Sequence, residues 1–152
     1  MTQTGRLDPI DLGLPHRDPF LFIDAVVELV PGERAVGEKK FAADDLMFRG
    51  HFPGNPLVPG VILVEALAQT AGIAVGTPGE SLYLTAIKAV KFPAPCSPGE
   101  TITLVAAKAG SVGGLIQCNV IARVGERVVA EGTIVLAGVK RAQEMAIAQS
   151  PG

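Results

Sequence analysis

His51 and Glu65 are the residues from which chemistry can be built in this chain. They lie in one short segment, Gly50-His51-Phe52-Pro53-Gly54-Asn55-Pro56-Leu57-Val58-Pro59-Gly60-Val61-Ile62-Leu63-Val64-Glu65. Between His51 and Lys88 the only charged side chains are Glu65 and Glu80. His51 stands just before a rigid Pro/Gly loop that can hold its ring in one orientation. An imidazole near its reference pKa is a good general base at neutral pH. Glu65 falls inside an apolar run, where an isolated carboxylate costs several kcal/mol unless paired or protonated. A carboxyl held out of water keeps its proton more readily, which suits a proton donor. The third part is backbone. Gly60 follows Pro59 at a helix start, so its N–H is one of the donors the helix leaves unpaired. The helix dipole adds partial positive charge there, and a glycine lets a substrate approach closely. These features suit an anion such as a developing enolate oxygen.

A base, a buried acid and an oxyanion donor around an apolar slot match β-elimination of water from a 3-hydroxyacyl thioester. The base takes the proton α to the carbonyl, the backbone donor stabilises the charge moved onto the thioester oxygen, and the acid protonates the departing hydroxyl. Taken singly, each residue has a plainer reading: a helical Glu on a solvated face, a structurally satisfied His, a loop that merely connects. The combination of all three in one segment favours the chemical reading.

The elements that must hold these residues are legible. Phe20 to Val30 reads as a strand ending at Pro31-Gly32, and Arg34 to Ala42 as its partner. Pro9 to Leu14 fits one short helical turn. A helix follows from about Pro59 to Val75, with Pro preorganised at its start and Gly76-Thr77-Pro78-Gly79 as its stop. It is apolar on nearly every face, so protein should surround it. Four further strands, Ser81 to Phe92, Thr101 to Ala109, Leu115 to Val124 and Arg127 to Val139, are expected to form a meander. A long antiparallel sheet and one all-apolar helix imply an α+β fold in which the sheet wraps the helix. The exposed sheet edge would be covered in a dimer that continues the sheet. Residues 1–140 are expected to form the single domain and 141–152 a flexible C-terminal tail.

Composition narrows the partners. The 152 residues are 48% hydrophobic and 18% charged, which argues against disorder. A net charge of −2 and the absence of Trp give no broad surface for nucleic acid. The apolar stretch around the helix is shorter than the roughly 20 residues a membrane span needs and carries Glu65 at its middle. With no apolar signal core at MTQTGRLDPIDLG, the expected location is cytoplasmic. Cys96 and Cys118 form no CxxC pair and are expected to be buried free thiols.

The stretch His51-Phe52-Pro53-Gly54-x-Pro56-x-x-Pro59-Gly60, followed by Glu65-Ala66-x-Ala68-Gln69, resembles the signature of the FabZ-type 3-hydroxyacyl-[acyl-carrier-protein] dehydratases. Leu14-Pro15-His16-Arg17-x-Pro19-Phe20-Leu21 with Asp24 is similar to a second block of that family, and Pro98-Gly99-Glu100 to a third. The match runs from about Leu14 to Val139. The resemblance implies a hotdog fold and an obligate dimer, able to assemble as a trimer of dimers, with active sites at the dimer interface. It implies His51 as base, Glu65 of the partner subunit as acid, the Gly60 N–H on the thioester carbonyl, and the Leu57 carbonyl orienting His51. Phe52, Val61, Gln69 and Tyr83 join them as expected substrate-binding residues. Gln69, one turn after Glu65, either bonds the acid or is satisfied by backbone; Tyr83 either gates an acyl tunnel or packs in the core. His16 and Arg17 are read as structural, and Arg49 as the cation to test against a phosphopantetheine phosphate. The resemblance further implies no metal and no cofactor, the substrate being carried on the phosphopantetheine of an acyl carrier protein.

FabA-type relatives carry Asp where this chain has Glu65, which leans the reading towards dehydration without isomerisation. Lys88 stands where the family shows an acid, and Pro93 and Ala94 where it shows bases, so an acyl-CoA carrier stays open. Two alternatives are a hotdog acyl thioesterase, with Glu65 activating water, and a non-catalytic hotdog acyl-binding subunit.

Overall fold

Apolar residues at every second position build the centre of the sheet. In the computed structural model, which describes residues 1–77 and 80–140, Ile102, Leu104 and Ala106 alternate as buried residues along one strand. Cys118, Val120 and Ala122 do the same on its neighbour, so one face of each strand points at the core. The strands are β1 (Gln3–Leu7), β2 (Ala25–Val30), β3 (Arg34–Lys40), β4 (Glu80–Lys91), β5 (Thr101–Val112), β6 (Leu115–Val124) and β7 (Arg127–Lys140). They form one antiparallel sheet in the order β1-β2-β3-β5-β6-β7-β4. The single α-helix among the described residues, α1 (Gly60–Val75), lies across it against β3, β5, β6 and β7.

The buried run Ala66 to Ala71 and Ile73 to Val75 explains why α1 has to be enclosed. Its two polar members are satisfied in place: Thr70 Oγ1 donates to the Ala66 carbonyl at 2.8 Å, and Gln69 bonds backbone as described below. At the far end, the Gly32 N–H in the β2–β3 turn donates to the Ala74 carbonyl at 2.8 Å, meeting one acceptor that the helix terminus leaves open. The expected turn at Pro9 to Leu14 is present, with the Leu14 N–H on the Pro9 carbonyl at 3.1 Å.

Three expectations are corrected. The last four strands are not one meander. β5, β6 and β7 are, but β4 lies outside them, paired to β7 alone among the described strands. The connection from Phe92 to Glu100 carries Pro93, Pro95 and Pro98 and none of the two-residue chemistry of a tight hairpin. β4 also leaves Tyr83, Thr85, Ile87, Lys88 and Ala89 exposed, so it lacks the buried face that puts β5 over the helix. Second, residues Phe20 to Asp24 are not strand; they dock the N-terminal segment onto α1. Third, β1 is a strand that the polar sequence Gln3-Thr4-Gly5-Arg6 does not advertise; it pairs with β2 as the sheet's other edge. The tail 141–152 lies outside the described residues.

Asp24 and Glu100, from the second and third sequence blocks, hold the frame. Asp24 accepts from the Lys40 N–H at 2.8 Å and from Lys39 Nζ at 3.0 Å, tying the entry of β2 to β3. Glu100 accepts from the Ser97 N–H at 2.9 Å and pairs with Arg127, and these contacts hold its carboxyl below the usual range. The thiols of Cys96 and Cys118 are free and buried. Burial pushes each up to about 11; the Glu100 charge adds to this at Cys96, while Lys108 opposes it at Cys118. Thiolate is the reactive form, so native protein should not react with DTNB, and both thiols should react in concentrated guanidinium. Stoichiometric labelling of the native protein would contradict this burial.

Candidate active site

The loop before α1 is held from both sides. Asp45 caps a short 3₁₀ turn, Leu46–Arg49, whose Phe48 is buried and anchors the chain just ahead of His51. On the far side, the Val58 N–H donates to the Cys96 carbonyl at 2.8 Å. Between these anchors Phe52 takes a left-handed backbone conformation (φ 53°) and Gly54 another (φ 87°), a geometry that turns the chain back on itself. His51 Nδ1–H donates to the Leu57 carbonyl at 2.9 Å. A carbonyl can only accept, so this contact fixes the proton on Nδ1 and leaves Nε2 with the free lone pair. The Phe52 ring meets the imidazole edge-on, with centroids 4.7 Å apart. The orientation of the imidazole is therefore built into the loop.

Gly60 is the first residue of α1, with Pro59 as N-cap. A Cβ at Gly60 would come within 3.0 Å of the Phe92 ring, so the glycine lets this ring close over the helix start. Val61 beside it is 76% exposed, and Phe52 is 59% exposed. Both are apolar side chains left open near the aligned imidazole's loop.

The second group lies one turn further along α1, where Glu65 follows Val61 by four residues. Glu65 is mostly buried and faces a cavity of about 580 Å³ lined by Leu14, His16, Gln69, Tyr83 and Leu136 among others. Gln69, 1% exposed, is the hub. Its Nε2 donates to the Phe20 carbonyl at 3.0 Å and to Glu65 Oε1 at 3.3 Å, and its Oε1 accepts from the Phe22 N–H at 2.9 Å. Both readings of Gln69 are thus realised at once. Tyr83 is half exposed and lines the cavity, so it does not pack in the core. Arg49 is exposed beside the loop, and Lys88 Nζ reaches Gln117 Oε1 at 3.3 Å, a surface contact.

The expected site residues thus fall into two groups. His51, Phe52, Leu57, Gly60 and Val61 surround the loop and helix start; Glu65, Gln69 and Tyr83 surround the cavity, whose lining does not include His51. His16, read from the sequence as structural, has its Nε2 3.4 Å from Glu65 Oε1. The available signal was simple: the chain has two histidines, and both end beside a proposed catalytic element. Among the described residues, no group of three or more His, Cys, Asp or Glu is placed to hold a metal ion, and no helix is long and apolar enough to cross a membrane.

Comparison with known proteins agrees with this architecture. The model of the FabA-like domain matches residues 14–136. The chain is 44% identical over 131 residues to the 3-hydroxyacyl-[acyl-carrier-protein] dehydratase FabZ of Ruminiclostridium cellulolyticum, covering 84% of this chain and 92% of that protein. It is 40% identical over 126 residues to the FabZ of Acidiphilium cryptum, covering 79% and 76%. Among solved structures, the dehydratase heterocomplex ApeI:P from Xenorhabdus doucetiae superposes with a TM-score of 0.78 at 14% identity, over 95% of this chain and 100% of that one, a likeness of fold. A helix enclosed by one long antiparallel sheet, with the signature loop at its start and a match spanning nearly all of the described core, places the chain in the FabA-like family of hotdog proteins, among its FabZ-type members.

Proposed function

We propose that this protein removes water from a (3R)-3-hydroxyacyl thioester borne on acyl carrier protein, giving the trans-2-enoyl thioester in acyl-chain biosynthesis. It works as a homodimer, open to assembly as a trimer of dimers. The observation that carries the reading is the separation of two prepared half-sites on one protomer: an imidazole aligned by Leu57 beside open apolar side chains, and a largely buried carboxyl facing a cavity. A second copy joins them. β4 supports the pairing, as a twelve-residue edge strand with Tyr83 and Ile87 exposed. Two such edges laid antiparallel would continue the sheet and bring the loop of one protomer to the cavity of the other.

In the joined site His51 Nε2 takes the proton α to the thioester carbonyl. Electron density moves to the carbonyl oxygen, where the Gly60 N–H and the helix dipole meet it. Glu65 of the partner subunit then gives its proton to the 3-hydroxyl, the Cβ–O bond breaks, and water leaves. Phe52 and Val61 flank the thioester, and Tyr83 stands at the mouth of the channel that takes the acyl chain. The residues do this by acid–base chemistry alone, with no metal or organic cofactor. The domain is residues 1–140, and the setting is the cytoplasm.

The test is a turnover panel of 3-hydroxyacyl thioesters on acyl carrier protein and on CoA, across chain lengths. Enoyl absorbance should rise with the carrier-protein substrates. DTNB reports released thiol in the same reactions, and the buried cysteines keep its background low. Thiol release without enoyl product would make the protein a thioesterase. Acyl binding without turnover at any length would make it a non-catalytic subunit.

A further inference from the structure

His16 is placed by contacts that do not use its ring nitrogens. One Arg17 guanidinium nitrogen donates to the carbonyls of Leu14 and His16, both at 2.8 Å. Leu14 and Phe22 are buried, and Gln69 grips the chain at Phe20 and Phe22. The His16 ring stacks against Phe20, with centroids 6.3 Å apart and planes 25° from parallel. The N-terminal segment is thus docked without help from Nδ1 or Nε2. Yet the ring is turned so that Nδ1 is buried with no hydrogen-bond partner while Nε2 faces Glu65 Oε1 at 3.4 Å. An unmet buried nitrogen is unfavourable, least so as a bare lone pair, which puts the ring proton on Nε2. Nε2–H then lies 3.4 Å from Oε1, a close polar contact. Gln69 Nε2 donates to the same oxygen at 3.3 Å. The Gln69 hydrogen bond and the His16 contact both fall on Oε1 rather than Oε2.

We infer that His16 is a positioning residue: with Gln69 it pins Oε1 of Glu65, so that Oε2 is the oxygen that carries the transferable proton into the cavity. The inference rests on the dehydratase reading and specifies how its acid is held. A glutamate side chain has several rotatable bonds, and losing one of its two anchors spreads the acid over orientations that miss the leaving hydroxyl.

His16→Phe keeps the stack on Phe20 and removes both nitrogens. It should lower kcat by roughly 10–10²-fold, with KM and thermal midpoint nearly unchanged. His16→Gln places an amide N–H near the position of Nε2 and should recover most of kcat. His16→Asn, one carbon too short, should not, and the Gln/Asn comparison decides the matter even if the Phe variant fails to fold. Placed on a Glu65→Gln background, His16→Phe should cause no further loss, because its whole effect passes through the acid. Wild-type turnover in His16→Phe, equal losses in Gln and Asn, or losses that multiply on that background would each overturn the inference. Full turnover in Glu65→Gln alone would instead overturn the dehydratase reading.

Discussion

His51→Ala is expected to lower kcat/KM for dehydration by about 10²–10⁴-fold, the usual worth of a positioned general base, or about 3–5 kcal/mol of barrier. The loss should fall on proton abstraction. In deuterated buffer the variant should neither exchange the α-proton of the substrate nor form enoyl product. The fold should survive, because the imidazole is only partly buried and its hydrogen bond is a local one to Leu57. The signature loop remains anchored by Phe48 and by the Val58–Cys96 backbone bond. An unchanged melting temperature and dimer with activity lost is the predicted pair of results. Turnover near the wild-type rate would remove His51 from the mechanism.

Glu65→Gln should have an effect of the same size, about 10²–10⁴-fold, at the other end of the reaction. The amide preserves the shape of the side chain and can still bond Gln69, but it has no proton of suitable acidity to give the hydroxyl. Because His51 is intact, this variant should go on exchanging the α-proton while forming no enoyl product. The contrast separates acid from base more sharply than two losses of rate. The two variants also test where the halves of the site come from. In a heterodimer of one His51→Ala chain and one Glu65→Gln chain, one site loses both groups and the other keeps both. Co-expressed, differently tagged chains should therefore recover about half of the wild-type rate per dimer. If His51 and Glu65 of the same chain acted together, the mixture would stay inactive.

Much of this could be read without coordinates, for identifiable reasons. α1 declares itself because a run of apolar residues with Pro59 before it and Gly76 after it has one good solution, a helix that protein must surround. β6 is legible to the residue, since its ends are set by Gly113-Gly114 and by Gly125, whose positive φ values shape the turns. The Leu57 carbonyl on His51 is what the family resemblance of the loop implies, and the two groups are only six residues apart. Such features depend on neighbours in the chain.

What stayed hidden depends on residues distant in the chain. Period-two alternation says that a segment is a strand, not which strand it lies beside; β4 left the meander because its pairing with β7 spans about fifty residues. Phe20 to Asp24 have strand composition, but Gln69, forty-nine residues from Phe20, takes their backbone groups instead. His16 looked like a structural residue because forty-nine positions separate it from Glu65, and only the docking of the N-terminal segment onto α1 brings them within 3.4 Å. The amino-acid order determined the proposed reacting groups, the helix that carries Glu65 and the loop that aligns His51. Tertiary structure decided the carboxyl's companions and which residues line the cavity beside it, since long-range packing energy, not local preference, selects which distant segments meet.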